Sequence, residues 1–90
     1  MSDFQVTCII PDGQDRDRRI DSIGGTAGGG WKLKLDDAIH HIESGTHQFW
    51  TVAKSESVWI IVAVRNGKKY LKTTADGLEP NNLLALPSCT

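Results

Sequence analysis

Apolar and polar residues alternate with a period of two along several stretches of this chain and with a helical period along one. From Phe4 to Ile10, Phe4, Val6, Cys8 and Ile10 alternate with Gln5, Thr7 and Ile9, the pattern of a strand with one buried face, and Pro11-Asp12-Gly13 ends it. Ile20 to Ile23 predicts a short second strand. Its two isoleucines are three apart and cannot face the same way in a regular strand, so a bulge or an early strand end is expected there. Gly24, Gly25, Gly28, Gly29 and Gly30 follow as a loop closing on Trp31. At Leu35 the period changes: Leu35, Ala38, Ile39 and Ile42 fall at i, i+3, i+4 and i+7, one apolar stripe of a helix. Asp36 and Asp37 suit the positive end of its dipole, and Gly45 stands where a C′ glycine stops a helix.

The second half reads as a three-stranded meander. Gln48 to Ala53 forms one strand, Val58 to Arg65 the next, and the run after Asn66-Gly67 the last. Asn-Gly between β-branched runs is a strong hairpin signal, because both turn residues need positive φ. With Ser55 and Glu56 as the loop of the first reversal, Phe49, Thr51 and Ala53 lie opposite Val62, Ile60 and Val58. Trp50 and Val52 then lie opposite Ile61 and Trp59 on the other face, while Leu71 pairs with Val62 and Tyr70 with Ala63. The helix stripe covers the Phe49, Ile60, Val62 and Leu71 face. Trp50, Trp59, Ile61 and Tyr70 share the other, to be covered by the first strand, the glycine loop with Trp31, or the tail from Leu83 to Leu86. In that tail Pro80-Asn81-Asn82 starts one helical turn that Pro87 ends. The expected fold class is α+β: an antiparallel sheet of about five strands with one helix, in the order β-β-α-β-β-β, and the tail across an edge or the open face.

Composition narrows the class. Ninety residues with 39% hydrophobic and 23% charged content fit one domain over residues 1–90. The longest apolar run, Val58 to Val64, falls far short of the roughly 20 residues of a membrane span, and no signal pattern opens the chain, so a cytoplasmic protein is expected. In that compartment Cys8 and Cys89, at opposite ends of the chain, are expected as free thiols. A net charge of -1 supplies no general attraction for polyanions, so nucleic-acid binding needs a local patch.

The segments GGTAGGGW (24–31), HQFW (47–50), VWIIVA (58–63) and KYLKTTADGLEPNNLLALPSC (69–89) occur in an order that resembles the small bacterial domain of unknown function 3892. The likeness extends over nearly the whole chain, and ADGLEPNNLLALP is its most specific part. The resemblance implies a compact bacterial α+β domain. It brings no activity, cofactor or catalytic residue.

Candidate chemistry is sparse. The glycine loop leads toward a helix start but lacks a GK[ST] ending, and two aspartates there repel an anion. His40 and His41 point about 100° apart on the helix and cannot readily share a metal; with His47 they read as solvated histidines, and no metal or cofactor is expected. Asp12, Asp15 and Asp17 are interleaved with arginines and lack calcium-loop spacing. No nucleophile sits in a recognisable catalytic turn. What survives is aromatic: Trp50, Trp59 and Tyr70 on one face beside Lys72, with Trp31 nearby, a surface able to stack against a protein or peptide partner. A noncatalytic binding or accessory module is therefore expected. The alternative is nucleic-acid or nucleotide binding through Lys68, Lys69, Tyr70, Lys72 and the glycine loop. A small enzyme would have to line its pocket with Trp31, His41, His47 and that loop, and an exposed sheet edge offers a route from monomer to homodimer.

Overall fold

A computed structural model describes residues 2–14, 19–76 and 81–89. The aspartate–arginine run 15–18 and the tail segment 77–80, which holds Pro80 of the expected helical turn, lie outside the described residues. The strands are β1 (Ser2–Gln5), β2 (Cys8–Pro11), β3 (Ile20–Gly25) and β4 (Trp31–Lys34), then, after helix α1 (Leu35–Ser44), β5 (His47–Ala53), β6 (Glu56–Arg65) and β7 (Lys68–Thr73); a short helix α2 spans Asn81–Leu84.

The class is α+β with one main helix, as expected, but the strands form two sheets. A mixed four-stranded sheet has the order β1-β5-β6-β7, with β1 parallel to β5, and a three-stranded antiparallel sheet has the order β2-β3-β4. The single antiparallel sheet of about five strands is thus corrected, for two physical reasons.

The first is a handover inside the opening strand. Val6 N–H donates to Trp50 O at 2.7 Å, whereas Thr7 N–H donates to Gly24 O at 2.9 Å, so the chain leaves one sheet and joins the other within one residue. The alternation rotates with it: Val6 and Ile9 are buried, while Cys8 and Ile10 are only partly so. Thr51 secures the corner by donating its hydroxyl to Val6 O at 2.8 Å. The second reason is β4, where Trp31 and Leu33 alternate with exposed Lys32 and Lys34. The glycine segment therefore turns β3 back into β4 through a 3-10 turn at Ala27–Gly29 instead of opening the helix.

Other expectations hold. The register breaks between Ile10 and Pro11, opposite Ser22 and Ile20, and this irregularity lets Ile20 and Ile23 both be buried. Leu35, Ala38 and Ile39 are buried along α1. Gly45, at φ 76°, ends it with Thr46 N–H donating to His41 O and Gly45 N–H to Ile42 O, a Schellman arrangement. Asn66 and Gly67 both take positive φ, and Val62 pairs with Leu71 and Ala63 with Tyr70.

The first reversal is corrected: its turn residues are Lys54 and Ser55, at φ 50° and 67°, and Phe49 faces Ile60 while Trp50 faces Trp59. The slip is two residues, an even number, so every side chain keeps its expected face.

α1 packs against strands of both sheets, and its stripe joins Phe49, Ile60 and Leu71 from one and Ile9, Ile20 and Ile23 from the other in a common core. The tail closes the edge between them. Leu83 is fully buried in that core, α2 packs on β7 and β2, and Ile9 exchanges backbone hydrogen bonds with Pro87 and Cys89. This pairing brings Cys89 beside Cys8, and the two form a disulfide with Cα atoms 5.0 Å apart. The expectation of free thiols is corrected, since tail pairing supplies a proximity that 81 residues of separation give no hint of. Among the described residues no helix is long and apolar enough to cross a membrane.

Candidate functional site

The outer face of the four-stranded sheet is set by the pleat. Because Trp50 pairs with Trp59 across β5 and β6, Gln5 with Trp50 across β1 and β5, and Ile61 with Lys72 across β6 and β7, these residues share one side of the sheet. The tail leucines join the core on the opposite side, so they do not roof this one. Trp59 and Val52 each remain 47% exposed, and Trp50 is half-buried. Both indoles line an open cleft of about 280 Å³ with Asp3, Ser57 and Val58. The carboxylate of Asp3 puts a negative charge at the rim of an aromatic cleft.

The remaining sequence-predicted residues divide. Tyr70 lies on the same face, as its pairing with Ala63 requires, but is only 3% exposed and so contributes packing instead of an open ring. Lys72 is on this face and partly buried. Trp31 belongs elsewhere: it packs inside, against Phe4 and Phe49, with ring centroids 5.7 Å from each. The lysines of the nucleic-acid alternative also separate, for Lys69 sits one residue out of phase with Lys68 and Tyr70 and pairs with Glu43 of α1 at 2.9 Å. The glycine loop lies on the other sheet and borders a shallow depression beside the disulfide.

A second cavity was half legible. Trp31, His41 and His47 do converge, together with Phe4, Leu33 and Phe49, around about 200 Å³ of space. His41 stands one turn before the Gly45 cap and His47 opens β5, so the tight reversal between them brings their rings to 4.7 Å. Phe4 meets His47 edge-on at 5.1 Å. His41 and His47 are therefore partly buried packing residues, correcting their reading as solvated; only His40 is exposed. The signal was present, because His41 is three residues from buried Ala38 and flanks the apolar stripe. Among the described residues no three metal-ligating side chains cluster.

Residues 5–87 match the family described as Protein of unknown function (DUF3892). The chain belongs to this family. No curated protein matches the chain, and no solved structure matches it. The DUF3892 match takes in both tryptophans of the open face and both histidines beside the Trp31–Phe49 cleft, but stops short of Asp3, Phe4 and Cys89. Membership in DUF3892 thus agrees with the fold-wide resemblance and leaves function to be argued from geometry.

Proposed function

We propose that this protein is a binding module whose docking surface is the open sheet face around Trp50 and Trp59, and whose partner is a protein or peptide segment offering a lysine or arginine side chain. One observation carries the reading. Two cross-strand indoles line an open cleft with a carboxylate, while the helix and the tail spend their apolar groups on the opposite side of the sheet. Neighbouring exposed apolar groups such as Trp59 and Val52 are the kind of surface that marks interaction sites when contiguous, and a cation over an indole face gains about 0.5–2 kcal/mol per contact, at the upper end when water is displaced.

The Cys8–Cys89 bridge ties the tail to the other sheet and is not part of the proposed docking surface. The cytoplasmic setting suggested by the sequence, where such a bridge is normally reduced, is compatible with the proposal.

The test is a ¹H–¹⁵N NMR titration with an arginine-rich peptide and an acidic peptide of equal length. The basic peptide is expected to shift the indole N–H signals of Trp50 and Trp59 and leave that of Trp31 in place, and Trp59→Ala is expected to abolish the effect. Equal response to both peptides, or shifts confined to other residues, would overturn it.

A further inference from the structure

β2 is an outer strand of the three-stranded sheet, and the tail lies along its outer edge. Ile9 N–H donates to Pro87 O and Ile9 O accepts from Cys89 N–H, both at 3.0 Å, with Ser88 opposite Ile9 in parallel register. The tail is held in two different ways along its length. Up to Leu86 it is anchored by the core: Leu83 is fully buried, and Leu84 and Leu86 pack against the core. Asn82 N–H donates to Asp76 Oδ1 at 3.1 Å, and Leu86 N–H donates to Leu83 O at 3.0 Å. Beyond Leu86 this support stops. Pro87 and Ser88 are exposed, and among the described residues the segment 87–89 is tied to β2 by the two Ile9 hydrogen bonds and the Cys8–Cys89 bridge.

We infer that this bridge is a redox-controlled clasp: oxidised, it keeps the segment 87–89 on the edge of β2; reduced by a dithiol, it releases the segment and opens that edge. The argument weighs hydrogen bonding against ordering. Two backbone hydrogen bonds, each exchanged against bonds to water, give a small net gain, whereas fixing three residues costs backbone entropy at every one of them. Neither Pro87 nor Ser88 buries its side chain to offset that cost, so the covalent tie decides where the segment lies. A dithiol can reach the bridge, because Cys8 and Cys89 are both partly exposed and both line an open depression of about 640 Å³. In the exchange, a thiolate of the dithiol attacks one bridge sulfur, the Cys8–Cys89 bond breaks and a mixed disulfide forms; the second thiolate then displaces the protein sulfur. The dithiol ends as a disulfide, and its two electrons and two protons end on Cys8 and Cys89 as thiols. Ile9 then presents an N–H and a C=O outward, the form in which an edge strand pairs with another chain. The clasp is separate from the Trp50–Trp59 face, which belongs to the other sheet.

The experiment is ¹⁵N relaxation on the intact protein before and after addition of millimolar dithiothreitol. Oxidised, Ser88 and Cys89 are expected to have order parameters near the rigid value of about 0.85; reduced, both should fall below about 0.6, with Asn82 and Leu83 unchanged. Exchange of the Ile9 amide with water should quicken about tenfold or more relative to that of Thr7, whose N–H stays bonded to Gly24 O. Cys89→Ser, which removes the bridge without a reductant, should reproduce both changes. Rigid order parameters at Ser88 and Cys89 in the reduced protein would overturn the clasp, as would a bridge that dithiothreitol leaves intact while the protein is folded. Loss of the dispersed spectrum on reduction would also overturn it, because the bridge would then hold the whole fold and not the segment.

Discussion

A methyl group built on Gly25 would stand 2.6 Å from Trp31 Nε1 and would collide with Gln5 O, and one on Gly24 would stand 2.9 Å from the sulfur of each bridged cysteine. These two glycines are therefore spacers, letting Trp31 and the disulfide lie on opposite sides of β3 against its backbone. Gly25→Ala is expected to destabilise the protein by about 1–3 kcal/mol, the usual cost of overpacking, measured by urea denaturation. The sequence shows that these glycines are clustered but not what approaches them, since their neighbours come from remote segments. Asp21 supplies a pH-dependent prediction. The Ser22 hydroxyl, then Lys34, which reaches Asp21 at 3.1 Å, hold its carboxyl below the usual carboxylate range. A lowered folded-state pKa adds stability above the unfolded-state value, and that stability is lost as pH falls through the folded value. Asp21→Asn should thus be less stable than the parent at neutral pH, with the gap narrowing in acid denaturation below about pH 4; a gap constant with pH would contradict this.

At the scale of elements, what is local was legible. The α1 stripe, its Gly45 stop and the Asn66-Gly67 turn depend on neighbours within a few residues, and all three form as expected. The β5–β6 reversal was misplaced because Lys54 and Ser55 carry no preference for positive φ, yet both adopt it. The turn is determined by the ladder it allows, which continues to the Ala53–Glu56 pair. Replacing Lys54-Ser55 by Asn-Gly should then raise stability by about 1 kcal/mol, seen as a higher melting temperature; a lower one would show that the turn geometry is wrong. The even slip is why the aromatic face survived a wrong register: Trp50 and Trp59 had their side right and their partners wrong. β4 was missed despite its Trp-Lys-Leu-Lys alternation, because it directly abuts a stronger helical pattern. The histidine pair is half legible: His41 flanks the helix stripe, but its contact with His47 forms across the helix-to-strand turn, where neither period applies.

Across the whole molecule, two sheets and α1 share one core, so unfolding is expected as a single transition with coincident fluorescence and circular-dichroism midpoints. The Cys8–Cys89 bridge closes nearly the whole chain into a loop, and by chain entropy its loss costs about 4–5 kcal/mol. Reductant, or Cys8→Ser with Cys89→Ser, should lower the denaturation midpoint accordingly; an unchanged midpoint would mean the tail is held by Leu83 and the Ile9 backbone alone. The global arrangement was the least legible level, since it depends on Val6 handing the chain from one sheet to another and on the tail returning to β2. The central claim, that one side of the four-stranded sheet stands open at its tryptophans, is tested most directly by ¹⁵N NMR with a soluble paramagnetic agent. The indole N–H of Trp59 should be broadened strongly, that of Trp50 less, and that of Trp31 least. Equal protection of Trp59 and Trp31 would contradict it.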